Sequence, residues 1–208
     1  MIKFLAWMQI NSKNSPKFWM PHQHPLSVSS DLWQLKLRGI LRKNELTISA
    51  PQPLTAGHLI NHFNCGIQTL NEWLKRRAMS NQLSGASRTF VVVDQENRVC
   101  GYYAMAAGAV SHQLTTTSVR RNMPDPIPVM VLARLAVDQH FQGVKLGAGM
   151  LQDAVNRAIV VSQNTKVRAL IVHAIDERAK QFYEHYGFQE SPQQPMTLML
   201  RLNTIKTL

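Results

Sequence analysis

The chain has 208 residues, 45% of them hydrophobic, two cysteines and a formal charge of +11. That length can bury a full core, and with no run near the roughly 20 apolar residues a bilayer helix needs, the composition excludes a helical membrane protein. Cys65 and Cys100 lack metal or redox spacing, so a reduced cytoplasmic chain without metal is expected, and its basic excess calls for a polyanionic partner, nucleic acid or anionic lipid.

Residues 1–45 stand apart. They carry Lys3, Lys13, Lys17, Lys36, Arg38, Arg42 and Lys43 against Asp31 and Glu45, with no sustained period of 2 or 3.6. They are expected to be a basic leader, disordered or an over-extended start, before a domain over 46–208. That domain is basic on its own account, +6 of the +11. Glu45–Ser49 alternates as a short strand, ended by Pro51 and Pro53. Ile67, Leu70, Leu74 and Ala78 then fall on one helical face with Trp73 beside them, and Lys75, Arg76 and Arg77 lie opposite. Such a charged run is either a solvated face or a nucleic-acid contact. Arg88–Asp94 and Val99–Ala106 are β-rich runs joined by Gln95-Glu-Asn-Arg98, a hairpin. Ser111–Pro128 is polar and proline-rich around Arg120 and Arg121, which predicts a loop.

Val131–Gly149 organises the rest. An apolar run interrupted by Arg134 reaches Val137, the joint Asp138–Gly143 follows, and Leu146, Met150, Leu151, Ala154, Ala158 and Val161 keep helical spacing. The joint reads as strand, glycine-bearing loop and helix start, where unpartnered N–H groups and the positive dipole end can hold an anion such as a pyrophosphate. On spacing alone a ligand-free turn is equally open. The pattern is neither G-x-G-x-x-G nor G-x-x-x-x-G-K-[ST], which weighs against NAD and ATP. Val167–Ala174 reads as a buried strand. Asp176 is suited to an N-cap and Gly187 to a helix stop, with Ala179, Phe182, Tyr183 and Tyr186 striped between them. Thr197–Leu202 is expected to close the sheet. The whole predicts an α+β, or mixed α/β, domain.

Leu132-Ala-Arg-Leu-Ala-Val-Asp138 followed by Gln142-Gly-Val-Lys-Leu-Gly147 resembles the acetyl-CoA loop of the GNAT acetyltransferases, [Q/R]-x-x-G-x-[G/A]. Three further stretches resemble the GNAT toxins of toxin–antitoxin pairs: Phe63-Asn-Cys-Gly66 with Leu70-Asn-Glu-Trp-Leu74, Arg121–Pro128, and Ala179–Phe188. The resemblance spans about Leu46 to Leu202. It implies the GNAT fold, a twisted mixed sheet flanked by helices whose central strands splay to hold acetyl-CoA. It also implies an acceptor, the α-amino group of aminoacyl-tRNA, with translation blocked as the result. A homodimer and a ribbon-helix-helix antitoxin follow from the same resemblance.

Carried onto this chain, the loop Gln142, Gly143, Val144, Lys145, Leu146, Gly147 and Ala148 would hold the pyrophosphate, and the backbone of Leu135, Ala136 and Val137 the pantetheine arm and thioester oxygen. Tyr183 falls on the family's acid: a phenol of pKa about 10 keeps a proton to give a departing thiolate. By pattern alone Tyr183 is a core aromatic, and the motif favours catalysis. Tyr186 reads as packing, Cys65 as a packed thiol, and no histidine among His112, His140, His173 and His185 makes a convincing base. An α-amine of pKa about 7.7–8.0 needs little help. Lys145 stands where the motif has glycine. At positive φ it would be strained and crowd the phosphate; at helical φ it would cost nothing and its ammonium would attract phosphate. Arg88, Arg120, Arg121 and Arg134, with Lys75, Arg76 and Arg77, are the candidates for tRNA contact. Two other readings stand: a GNAT enzyme acting on a small-molecule or protein amine, for which Asp125 and Glu72 are the acidic candidates, and a catalytically dead GNAT-like binding protein.

Overall fold

The computed structural model describes residues 48–202. The expected leader, residues 1–45, lies outside the described residues, as does most of the strand expected over Glu45–Ser49. Its described part, Ile48 and Ser49, is not a strand, although Ser49 donates its N–H to the Val93 carbonyl at 2.7 Å. The first strand is β1 (Gln52–Pro53), and Pro53, expected to stop a strand, sits inside one. β1 is an edge strand, where a missing N–H removes no ladder bond.

The expected helical face from Ile67 to Ala78 forms two helices, α1 (Gln68–Arg76) and α2 (Ala78–Leu83). The break falls at Arg77, with φ −122°, and Ala78 beyond it is wholly buried. The hairpin forms as expected between β2 (Arg88–Val93) and β3 (Val99–Val110). Asp94 holds its turn, accepting from the N–H groups of Glu96 and Arg98. The stretch expected as a loop from Ser111 to Pro128 contains a 3-10 turn, His112–Leu114, and one helical turn, α3 (Thr117–Arg120). Buried Val119 anchors that turn, a single apolar residue with no period to reveal it. Then come β4 (Ile127–Val137), α4 (Leu146–Asn164), β5 (Ala169–His173), α5 (Glu177–His185), β6 (Gln189–Glu190) and β7 (Thr197–Arg201).

The strands form one mixed sheet in the order β1-β2-β3-β4-β5-β7-β6. Among the described strands only β4 and β5 pair in parallel, and α4 is the crossover that a parallel pair requires. β7, expected to close the sheet, lies one strand in from the edge, because the short β6 pairs outside it. One face packs Met150, Leu151, Ala154 and Ala158 of α4 and Tyr183 of α5. The other packs Leu74 and Ala78 of α1 and α2 at one end and Val119 of α3 at the other. Val161, expected on the buried stripe of α4, is half-buried, and Ser162 takes the buried place.

β4 carries a bulge. Ala104 of β3 faces Arg134 while Met105 faces Leu132, so Ala133 is an extra residue. Before it, Met130 and Leu132 pack on the α4 side; after it, Leu135 and Val137 do. The bulge thus reverses the alternation and turns Arg134 and Ala136 toward α1.

Candidate functional site

The parallel pair opens midway. Its last partners are Leu132 and Val172; β5 ends one residue later, and β4 continues to Val137 paired only with β3. Five residues, Ala133–Val137, therefore present one backbone edge to a gap rather than to a strand. Leu135, Ala136 and Val137 lie there as expected, but the Val137 carbonyl already accepts the Gln142 side-chain amide at 3.0 Å. In an open α/β sheet, the carboxyl end of parallel strands is where ligands settle.

The loop at the end of β4 reaches the start of α4. Gln142 fastens it, donating also to the Cys65 carbonyl at 3.1 Å. Beyond Gln142, the N–H groups of Gly143, Val144, Lys145, Leu146, Gly147 and Ala148 find no acceptor among the described residues, and no side chain caps α4. Six successive donors at the positive end of a 19-residue helix suit a multiply charged oxyanion. Gly143 has φ +77°, which glycine adopts without penalty. Lys145 has φ +62°, so the strained case holds: a left-handed non-glycine residue costs about 1 kcal/mol. Its side chain is exposed, however, and is free to turn from the amides or toward an anion.

A third group stitches β4 to the segment before α1. Asp138 is 4% exposed; its carboxylate accepts from the N–H groups of Asn64 at 2.8 Å and His140 at 3.0 Å, and pairs with the His140 ring at 2.8 Å. Burial alone would raise the Asp138 carboxyl, but these donors hold it below the usual carboxylate range. Asn71 of α1 completes the corner by accepting from the Cys65 N–H and donating to the Asn64 side chain. Phe63-Asn-Cys-Gly66 and Leu70–Leu74 thus belong to one structure. Both stretches stand out in the sequence, but the joint role of Asn64, Asn71 and Asp138 does not, because nothing in their spacing announces a contact across 74 residues.

Tyr183 lies in α5, which starts four residues after β5 ends and is capped as expected by Asp176, whose side chain accepts from the Ala179 N–H at 2.7 Å. Gly187 stops the helix at φ +86°. Tyr183 packs against Phe182 and Phe188, is 8% exposed and has its phenol pushed up by burial. Its hydroxyl has no hydrogen-bond partner among the described residues, yet it is not sealed from solvent. Core packing and a usable phenol coexist in one residue. Tyr186 is half-buried against Phe182, as expected of packing.

The four candidate histidines make contacts of their own: His112 with the Met123 and Pro124 carbonyls, His173 with Thr197, His140 with Asp138, and His185 against the Tyr186 ring. Cys65 is a buried free thiol pushed up by burial, as is Cys100 at about 12, so neither is a nucleophile at neutral pH. The acidic candidates are used locally: Glu72 accepts from the Gln68 amide and Asp125 from the His112 N–H. Among the described residues no cluster could hold a metal ion.

The basic candidates lie on separate elements. Lys75, Arg76 and Arg77 are exposed at the end of α1, Arg88 at the start of β2, and Arg120 and Arg121 beside α3. Only half-buried Arg134 is at the gap, its guanidinium 5.5 Å from the Trp73 ring centre. A shallow cavity of about 450 Å³ lies between α1 and its preceding segment, lined by Asn64, Gly66, Gln68, Asn71, Glu72 and Lys75 among others.

Residues 59–197 match the acetyltransferase (GNAT) domain. A protein of Mycobacterium tuberculosis named tRNA-acetylating toxin is 41% identical over 160 residues, which cover 77% of this chain and 96% of that protein. Among solved structures, AtaT complexed with acetyl-methionyl-tRNAfMet has a TM-score of 0.68 and 27% identity, covering 76% of this chain and 95% of its own. AtaTR bound with AcCoA has a TM-score of 0.65 and 27% identity, covering 76% and 94%. A mutant AtaT toxin bound to the C-terminus of the antitoxin AtaR has a TM-score of 0.64 and 25% identity, covering 76% and 93%.

Proposed function

This chain belongs to the GNAT acetyltransferase family, and on that premise we infer that it moves acetyl from acetyl-CoA to the α-amino group of aminoacyl-tRNA and so blocks translation. The observation that carries acetyl transfer is the β4–β5 gap ending at a loop of six unengaged amides. The acceptor is supported by similarity to a tRNA-acetylating toxin and by the basic charge of the chain.

In this mechanism the amides of Gly143–Ala148 take the pyrophosphate of acetyl-CoA, with Gln142 bracing the loop from behind. The open edge of β4 pairs with the pantetheine arm and turns an N–H toward the thioester oxygen, stabilising the tetrahedral intermediate. The neutral α-amine attacks the thioester carbon, the C–S bond breaks, and Tyr183 gives its proton to the departing thiolate, later regaining one from water. Burial of Tyr183 serves that role, since a phenol held above its ordinary value keeps its proton throughout the working range. The attacking amine loses its own proton to water, since an α-amine of pKa about 7.7–8.0 needs little help at neutral pH.

The same reading includes a homodimer, a ribbon-helix-helix antitoxin and a cytoplasmic setting. It agrees with the antitoxin complex of AtaT and with the finding that no helix among the described residues is long and apolar enough to cross a membrane. The local engagement of Glu72 and Asp125 argues against an acidic pocket for small amines.

The deciding experiment follows label from acetyl-CoA onto a pool of charged tRNAs, with Tyr183→Phe beside the unaltered protein. Label on aminoacyl-tRNA that falls about 10²- to 10⁴-fold in the variant, at equal acetyl-CoA affinity, is expected. Acetyl-CoA binding without labelled tRNA would move the acceptor to another amine. Loss of acetyl-CoA binding itself would leave a binding protein without turnover, with Lys145 as the cause.

A further inference from the structure

Arg134 occupies an unusual position that its charge does not explain. The bulge at Ala133 places it two residues past the last β4–β5 pair, on the sheet face opposite to Tyr183 and α4. Without the extra residue, Arg134 would continue the series of Met130 and Leu132 and point into the core beneath α4. The bulge thus delivers a guanidinium to the mouth of the gap from the α1 side.

That guanidinium is anchored by a hydrogen bond and an aromatic ring. One of its NH2 groups donates to the Ala133 carbonyl at 2.6 Å, and the group lies 5.5 Å from the Trp73 ring centre. Trp73 is itself stacked on Tyr102, with 5.8 Å between ring centres and 13° between planes. Tyr102 is fixed by its hydroxyl bond to the Leu70 carbonyl at 2.8 Å and by an edge contact with Phe63. The result is a supported column, Phe63–Tyr102–Trp73–Arg134. Its outer member finds no carboxylate among the described residues, although every carboxylate pairing there satisfies another cation. A half-buried Arg with no anionic partner, backed by stacked aromatics, is a platform for a planar, electron-rich group; unpaired bases stack on aromatic rings and guanidinium planes in this way.

We propose that the Trp73–Arg134 pair is the docking platform for the unpaired 3′-terminal adenosine of the acceptor, seating the base on the face opposite to acetyl-CoA. This rests on the aminoacyl-tRNA reading above and deepens it. The terminal adenosine carries the amino acid on its ribose, so a base fixed beside the gap limits where the α-amine can reach. The thioester and Tyr183 approach from one face of the sheet and the amine from the other, with the splayed strands between them. The platform reads the nucleoside rather than the tRNA body, so it is a positioning element that acts through the acceptor's KM.

The test compares the unaltered protein with Arg134→Ala, Arg134→Lys and Trp73→Leu on two acceptors: charged tRNA, and aminoacyl-adenosine, which keeps the base and ester but has no phosphates. Steady-state constants are read together with melting temperature and acetyl-CoA affinity. Arg134→Ala is expected to raise KM about tenfold for both acceptors at nearly unchanged kcat and acetyl-CoA affinity. Arg134→Lys, which keeps the charge but loses the planar fork, is expected to resemble it on aminoacyl-adenosine. Trp73→Leu should show the same KM shift, smaller in size. A KM that rises for tRNA alone would make Arg134 a phosphate contact and overturn the platform. So would Arg134→Ala kinetics equal to those of the unaltered protein. If Arg134→Ala melts early, the Lys variant decides: full rescue on aminoacyl-adenosine overturns the proposal, and failure to rescue in a folded protein supports it. An unaltered protein inert toward both acceptors sinks the aminoacyl-tRNA reading itself, an outcome separate from failure of the platform alone.

Discussion

Two neighbouring segments, both joined to the end of β4, use their backbone donors in opposite ways. At the Asn64–Asp138 corner the amides of Asn64, Cys65, Gly66 and His140 all have side-chain acceptors, and the carboxylate that gathers two of them is buried. A few residues on, the amides of Gly143–Ala148 have none among the described residues. The corner uses its hydrogen bonds for rigidity, and the loop leaves its own donors open. Gln142 connects the two, with one amide nitrogen shared between the Cys65 and Val137 carbonyls. An anion site with open donors is best placed where an adjoining, fully bonded structure holds the backbone still, since preorganised donors need no rearrangement when charge arrives.

The sharpest way to break this contrast is Asp138→Ala. It leaves two N–H groups without their acceptor in a buried corner, at about 1–3 kcal/mol each, and should lower the melting temperature by many degrees. The same carboxylate makes the corner acid-sensitive. Its folded pKa lies below the unfolded value, so its stabilisation is complete above about pH 4 and is lost as pH falls through the folded value. Urea unfolding of the unaltered protein and Asp138→Asn from pH 7 to pH 3 should show the gap between them narrowing on the acid side.

Gln142→Ala cuts the link without touching either side. A loss of about tenfold in acetyl-CoA affinity, with a smaller change in melting temperature, is expected from losing the two hydrogen bonds that this amide nitrogen donates. Calorimetric titration with acetyl-CoA would read it, and an equal affinity would show that the loop holds its shape alone.

Lys145→Gly asks whether the loop is strained. Relief of the left-handed backbone should stabilise the protein by about 1 kcal/mol, less the entropy glycine brings to the unfolded chain. Acetyl-CoA affinity separates the two effects of the lysine: a gain at all salt concentrations marks crowding, while a loss that disappears at high salt marks an attractive ammonium.

The smallest expected effect is in the pH profile of transfer. With Tyr183 pushed up by burial, the rate should rise as the α-amine deprotonates near pH 8 and then stay level to about pH 10. A fall below pH 10 would count against Tyr183 as the proton donor.

Much of this was readable in the chain. The period-3.6 stripe from Leu146 to Ala158, the alternating hairpin around Asp94–Arg98 and the Asp176 and Gly187 boundaries are local patterns, and each formed where expected. The Gln142–Gly147 motif lies at a strand–loop–helix joint, as its pattern predicts, because a strand, a turn and a helix start must follow one another in sequence. What stayed hidden depended on contacts across the fold. The turn at Thr117–Arg120 exists because Val119 is buried under a distant strand set, and the break at Arg77 because Ala78 packs on the sheet.

Sequence by itself therefore determined the β2–β3 hairpin, the strand–loop–helix joint from β4 to α4, the bounds of α5, the family resemblance and the residue types at the loop and at Tyr183, since these follow from short-range periodicity, caps and motif spacing. Only the tertiary structure decided that β4 and β5 part after Leu132 and Val172, that Lys145 is left-handed, and that Arg134 faces α1. The last of these turns on one extra residue in one strand. A bulge reverses every side chain beyond it, and which strand accommodates the extra residue is set by pairing with a neighbour, a quantity that no single strand's sequence contains.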